Sequence, residues 1–333
     1  MPATEPPTPP AAPAFAGPVG DAWASVRAGR IRAAQHELAR LLRPESADEL
    51  SGDPLALALL LQVELDLATG ELGQATGHAG RLADLDGPVA ALAGALARGE
   101  TAAAYGDHAA ARDHFLAAGE LPGAEEPLLR PWWVGAVLAL VRTGRRREGA
   151  ELARTTVAEA ERAGDPYALA HGLRALATAD TGHDPLGLLR RARQLAADAG
   201  SQRLVVQLDT DLAAMSILSR GTTGPEIVLP LRQAEAYAAE EGLWPLHARV
   251  TGLLVRIGEE PRPLVGQALE VLTEAEKRVA RLAARSLSNR EIATELGVSI
   301  KAIEWHLSRT YRKLGISSRQ ALISLLAGDP TVD

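Results

Sequence analysis

From Asp21 to about Gly258 the apolar positions recur at intervals of three and four residues. Ala111, Phe115 and Ala118 fall at i, i+4 and i+7, and Val134, Val137, Leu138 and Val141 at i, i+3, i+4 and i+7. This spacing draws one apolar stripe along a helix and leaves the other faces polar. Glycines punctuate the pattern at Gly70, Gly106, Gly144, Gly182 and Gly221, spaced by 36, 38, 38 and 39 residues, with Gly29 as an earlier member of the series. A second set, Gly119, Gly164, Gly200 and Gly242, falls near the ends of the repeats. A period of this length holds two helices of three to four turns with a turn after each, so the region predicts a stack of helix pairs, an α-solenoid.

One repeat, Gly99 to Pro122, resembles a tetratricopeptide repeat, with Gly99, Gly106, Ala111, Phe115, Ala118 and Pro122 near that family's small and apolar positions. The other repeats share its period, and Gly149 with Ala150 implies a one-residue slip in the third. Residues 21–258 are therefore expected to form a tetratricopeptide-like helical-repeat domain. Stacked helix pairs of this kind build a surface for a peptide, a protein partner or a small-molecule effector; a purely structural or self-associating rod is the plainer alternative. Pro131 precedes a tandem tryptophan pair. Adjacent helical residues point about 100° apart, so of Trp132 and Trp133 one can fill the core while the other lines an effector or partner groove, although both could equally be core.

Residues 1–20 are rich in proline and alanine without apolar periodicity, which predicts a disordered tail. They have neither the basic start and apolar middle of a secretory signal nor the arginine content of a transit peptide. Leu55 to Val63 is the longest apolar run, well short of the roughly 18 residues a membrane span needs. A cytoplasmic protein without a membrane partner is expected. The segment GEEPRPLVG, Gly258 to Gly266, marks a linker over 259–267, with a separate domain beyond it over 268–333.

Beyond the linker the pattern changes to short helices with strong start signals. Thr273-x-x-Glu276, Ser288-x-x-Glu291 and Ser317-x-x-Gln320 are capping boxes, and Ser299 is a further N-cap whose reciprocal position is Ala302. Gly297 and Gly315 stand where helices end. These signals delimit four helices, at about 274–286, 289–296, 300–314 and 318–327. The second and third are separated only by Gly297, Val298 and Ser299, the spacing of a helix-turn-helix. At about 100° per residue, Ile303, Leu307, Thr310 and Leu314 share one side of the third helix and face Val279, Leu282, Ile292 and Leu296. Lys301, Glu304, Trp305, Ser308, Arg309 and Arg312 lie on the other side. An indole on a solvated face forgoes about 2 to 3 kcal/mol of burial, which points to a binding partner there.

Composition reinforces the helical reading: hydrophobic residues make up 47% of the chain and aromatic residues only 3%, far from the β-branched and aromatic balance of strands. Cysteine is absent, which excludes cysteine-ligated zinc, thiol catalysis and disulfides. The net charge of −7 argues against nucleic acid only if it is evenly spread. It is not: residues 272–323 hold ten Lys and Arg against five Glu, a net +5, and the rest of the chain carries −12. The dispersed histidines do not form a metal set, no G-x-x-x-x-G-K-[ST] is present, and the carboxylates recur on helical faces at repeat spacing. No metal, no cofactor and no enzymatic activity are expected.

Residues 272–326 resemble the LuxR-type helix-turn-helix. The matching positions are Leu272, Thr273, Glu276, Val279, Leu282, Ser288, Asn289, Glu291, Ile292, Ala293, Leu296, Ser299, Ile303, His306, Lys313, Leu314, Gly315 and Arg319. Three positions depart: Ser286 replaces the usual glycine, Ala302 the usual threonine and Glu304 the usual lysine. Composition and spacing together predict an all-α fold, a tetratricopeptide-like solenoid followed by a four-helix domain; the resemblance implies that this last domain places the helix 300–314 in the major groove of double-stranded DNA, usually as a homodimer through the last helix, so that the chain acts as a transcriptional regulator. It implies that Glu304, Trp305 and Ser308 face the bases, and that Arg290, Lys301, Arg309, Arg312 and Lys313 contact phosphates. With glutamate at 304 the family's base preference does not carry over, since glutamate accepts from cytosine N4 where lysine donates to guanine. His306 is expected to be structural or to touch the DNA backbone. The alternative left open is a protein-interaction adaptor whose helix-turn-helix serves docking or dimerisation.

Overall fold

The computed structural model describes residues 17–43, 50–124, 131–180, 182, 184–221, 223–260, 272–285, 287–314 and 318–326. Every regular element among the described residues is an α-helix. Two compact units emerge, Met1–Thr222 and Thr223–Asp333.

The first unit contains α1 (Gly17–Ala28), α2 (Ile31–Leu41), α3 (Gly52–Thr69), α4 (Leu72–Ala83), α5 (Pro88–Tyr105), α6 (His108–Gly119), α7 (Trp132–Arg142), α8 (Arg146–Ala163), α9 (Pro166–Ala179), α10 (Pro185–Asp198) and α11 (Gln202–Arg220). Each helix packs on its successor, and α3, α5, α7 and α9 also pack on one another in series, as stacked helix pairs do. In addition α1 touches both α3 and α11. The tail expected over 1–20 lies outside the described residues up to residue 16, and its last four residues open α1.

Most of the punctuating glycines do what the spacing predicts: Gly29, Gly70, Gly106, Gly144, Gly164, Gly200, Gly221 and Gly242 have positive φ. Two do not. Gly182 donates its N–H to Asp180 Oδ1 at 2.9 Å in a side-chain-closed turn. Gly119 is the last residue of α6, and its task is space: a Cβ there would lie 2.6 Å from the Trp132 ring. The same device repeats through the core. Phe115 is 2% exposed and sits between two glycine notches, where a Cβ on Gly99 of α5 or Gly135 of α7 would come within 2.7 and 2.5 Å of its ring. Trp133 packs likewise on Gly172 of α9, 2.7 Å from the position of a Cβ. At the slip expected around Gly149, a Cβ would meet the Val137 carbonyl oxygen at 3.2 Å, so glycine lets α8 approach the backbone of α7.

The second unit contains α12 (Pro225–Glu240), α13 (Trp244–Arg256), α14 (Glu274–Ala284), α15 (Asn289–Leu296), α16 (Ile300–Leu314) and α17 (Arg319–Leu326). Its division from the first falls at Thr222/Thr223, ahead of the boundary that the sequence places at 258, and residues 261–267 of the expected linker lie outside the described residues. The repeat spacing continues unbroken through Gly221, which is why α12 and α13 read as one more repeat. Packing assigns them differently. Trp244, 9% exposed at the start of α13, belongs to the same apolar core as Val279, Ile292, Ile303, Leu307 and Leu322, and α13 touches α16. Arg232 of α12 ties its own helix to the chain just past α13, pairing with Glu235 at 3.0 Å and with Glu259 at 2.8 Å.

Candidate nucleic-acid interface

The local signals that start α14, α15 and α16 are realised in the structure. Thr273 Oγ1 accepts from the Glu276 N–H, and the Glu276 carboxylate accepts from the Thr273 N–H at 2.9 Å. Ser288 and Glu291 repeat the arrangement, with Glu291 Oε2 accepting from the Ser288 N–H at 2.7 Å. Ser299 Oγ accepts from the Ala302 N–H at 3.1 Å. Ser286, Gly315 and Ser317 lie outside the described residues. Between α15 and α16, Gly297 adopts φ +67° and the Val298 N–H reaches the Ala293 carbonyl at 3.0 Å. A left-handed residue at this point closes one helix and aims the next in three residues.

The inner side of α16 follows the predicted stripe: Ile303, Leu307, Thr310 and Leu314 are each at most 5% exposed, and they meet the buried Val279, Leu282 and Ile292, with Leu296 partly buried. The opposite side is open. Lys301, Glu304 and Ser308 are exposed, Trp305 is 54% exposed, and Arg290 on α15 is exposed too. The Trp305 ring is held by its own helix: the Arg309 guanidinium lies over it at 4.7 Å, and His306 meets it edge-on at 4.9 Å. Val298 in the turn and Ile300 at the head of α16 are exposed as well, at 45% and 44%. Sequence reasoning missed these two. Periodicity could not announce them: Ile300 stands three and seven residues before Ile303 and Leu307, in register with the buried stripe, and is open because it is the first residue of α16, while Val298 belongs to the turn.

Two of the cations assigned to phosphates have a role inside the fold. Lys313 Nζ is 2.7 Å from Glu276 Oε2, and Arg309 Nε lies 3.6 Å from Glu276 Oε1. Glu276 is 2% exposed. Burial alone would raise its carboxyl pKa, but the Lys313 ammonium and the Thr273 N–H outweigh it and hold the pKa below the usual carboxylate value. The carboxylate thus caps α14 and anchors the far half of α16 at once. Arg319 of α17 serves α14 and α15 similarly: it donates to Asn289 Oδ1 at 3.0 Å and to the Leu287 carbonyl. The Arg312 side chain lies outside the described residues. Of the cations expected at phosphates, those whose side chains are exposed are Arg290 and Lys301, with Arg309 half-buried behind Trp305.

In the first unit, both tryptophans of the pair pack on the core. Trp133 is 9% exposed within the core, and Trp132 is partly buried against it. Both also line a cavity of about 370 Å³ with Pro131, Thr156, Glu159 and Asp165. No helix among the described residues is long and apolar enough to cross a membrane.

Comparison with known proteins places these features in a family context. The family described as "Bacterial regulatory proteins, luxR family" matches residues 270–326. The spore germination protein GerE of Bacillus subtilis is 38% identical over 61 residues, 18% of this chain and 82% of that protein. Putative HTH-type transcriptional regulators of Mycobacterium bovis and Mycobacterium tuberculosis are 41% identical over 76 residues, 22% of this chain. The chain spans only 8% of the length of these mycobacterial relatives.

Proposed function

The chain belongs to the luxR family of bacterial regulatory proteins through its C-terminal helices, and from that membership we propose that it is a sequence-specific, DNA-binding transcriptional regulator. In this reading α16 lies in the major groove. The observation that carries it is the two-sidedness of α16: one side is buried to within 5%, while the other presents Lys301, Glu304, an open indole and Ser308 to solvent. Glu304, Trp305 and Ser308 face base edges, with Trp305, Val298 and Ile300 offering apolar contact to thymine methyl groups. Arg290 and Lys301 contact phosphates and set the register of the helix without reading sequence. Arg309 supports them from behind Trp305, and Arg312 joins them by its place on the helix. Lys313 contributes to the field of the domain while bound to Glu276.

A homodimer through α17 would place two such helices on two half-sites one turn of DNA apart. The helical-repeat unit senses an effector or partner, or mediates self-association, with the cavity beside Trp132 and Trp133 as its candidate groove. The setting is the cytoplasm, where the DNA is. The test is salt-titrated fluorescence anisotropy of the full chain on genomic fragments selected by the protein itself, against random DNA. Tight, salt-sensitive binding with a clear preference for the selected sequences is expected. Absence of salt-sensitive binding to any fragment would remove the DNA-reading role and leave the helix-turn-helix a docking module.

A further inference from the structure

The contact of α1 with α3 and α11 borders a small polar cavity inside the first unit, distinct from the tryptophan groove. Its walls come from residues far apart in sequence: Trp23 and Arg27 on α1, Glu64 on α3, Tyr167 on α9, and Ser201 with Arg203 at the start of α11. The cavity measures about 40 Å³. A water needs roughly 10–15 Å³ on this measure, so the space holds about three waters or one small polar group rather than a bulky ligand.

Three features give this cavity an affinity for negative charge. Ser201 is 1% exposed, and its Oγ has no hydrogen-bond partner among the described residues. It stands at the N-cap of the 19-residue α11 without capping it, so the first-turn N–H groups receive no acceptor from the cap side chain. Such a helix start carries a partial positive charge and unpaired donors. Finally, the Arg27 guanidinium is stacked between the Trp23 and Tyr167 rings, at 4.7 and 4.0 Å, and its Nε is buried with no hydrogen bond among the described residues.

The surrounding carboxylates are engaged elsewhere. Glu64 is paired with Arg203 at 2.7 Å, and Asp165, whose field reaches Arg27, accepts from the Tyr167 and Ala168 N–H groups. Burial pushes the Arg27 pKa below its ordinary value, against the opposing pull of Tyr167 and Asp165. The guanidinium is thus short of counter-charge in the place where Ser201 and the head of α11 are short of an acceptor.

We propose that this cavity is a binding site for an oxyanion, the carboxylate or phosphate group of a small molecule, which accepts from Ser201 Oγ–H, from the first N–H groups of α11 and from Arg27. An anion at a helix start beside an arginine satisfies all three with charge-assisted hydrogen bonds. The site makes the helical-repeat unit a receptor for a small acid, and it stands or falls independently of DNA reading because its test involves no DNA.

The experiment is calorimetric titration and thermal unfolding of the full chain with inorganic phosphate and, separately, acetate, each against chloride at matched ionic strength. Saturable binding of one of them, with a rise in Tm, is expected, and which probe binds tells phosphate from carboxylate. Ser201→Ala should weaken that binding about tenfold or more, as loss of a hydrogen bond to a charged group does. Ser201→Asp supplies the carboxylate from within and should leave the chain stable without added anion and unresponsive to it. Arg27→Gln is a second, independent variant expected to weaken binding. A wild-type chain that shows no saturable response beyond chloride overturns the proposal. So does phosphate or acetate binding that Ser201→Ala and Arg27→Gln leave at wild-type strength.

Discussion

Trp305 is the residue whose position most needs a reason. With 54% of its surface open, it contributes little to the core, and the Arg309 guanidinium stacked on it adds about 0.5 to 1 kcal/mol at such a site. Trp305→Ala should therefore leave the unfolding midpoint nearly unchanged while lowering affinity for the preferred DNA sequence about tenfold, the scale of one lost base contact. Its neighbours on the same face divide by chemistry. If Lys301 contacts a phosphate as proposed, Lys301→Ala should lower affinity equally on selected and random DNA and shrink the slope of log K against log salt by about one. Glu304 has an acceptor only, so Glu304→Ala should relax a preference at one base pair, a cytosine whose N4 it accepts from, and leave random DNA unaffected or better bound. Anisotropy titrations on both kinds of DNA at several salt concentrations measure all three. If Glu304→Ala and Lys301→Ala behave alike on both, the division between reading and positioning is wrong.

Among the elements, α16 depends on a partner 37 residues upstream. Glu276 caps α14 and holds Lys313 and Arg309. Removing one member of a buried pair leaves the other uncompensated, so Glu276→Ala should destabilise the C-terminal unit by about 2 to 3 kcal/mol, including the lost cap. The pH dependence has a definite sign. Because the folded pKa of Glu276 lies below the ordinary value, its contribution is complete above the unfolded pKa of about 4.3 and disappears as pH falls through the folded value. Denaturant midpoints measured from pH 6 down to pH 3 should fall more steeply for the wild type than for Glu276→Gln. In the helical repeats the corresponding weak point is the notch at Gly135. Gly135→Val would drive a branched side chain into the Phe115 ring, and a loss of about 1 to 3 kcal/mol is expected from overpacking. These cases show what a sequence makes legible. The starts of α15 and α16 could be read to the residue because a cap and its partner lie three positions apart, and the buried stripe of α16 because a helix repeats its faces. The Glu276–Lys313 pair, the Arg319 bonds to Asn289 and Leu287, and the ring over Gly119 join residues distant in sequence, and no local period announces them. Gly119 is the instructive one: its spacing suggested a turn, but the residue is small because Trp132 occupies the space.

For the molecule as a whole, where the units divide decides what a charge count means. Counting by sequence pattern isolates residues 272–323 at +5, but the compact unit that contains them, 223–333, has fourteen Lys and Arg against fourteen Asp and Glu and is neutral. The first unit, 1–222, then carries the whole −7. Two consequences can be separated by experiment. The first concerns folding: because Trp244 is part of the core that supports α14 and α16, a fragment cut at 259 loses a buried indole and should melt lower than a fragment that begins at 223, by several degrees for the few kcal/mol involved in a domain of this size. The second concerns binding. Phosphates and the acidic first unit carry charge of the same sign, so on the proposed reading the first unit should compete with DNA for the basic residues 272–323 through its field. Such a field reaches about 30 Å at 0.01 M salt and only about 8 Å at 0.15 M. Fragment 223–333 should accordingly bind DNA more tightly than the full chain at low salt, compared at equal concentration and matched oligomeric state, and the two should converge as salt rises. Equal affinities at every salt concentration would show that the acidic unit exerts no electrostatic restraint. A gap that persisted undiminished at high salt would point to a restraint by contact rather than by charge.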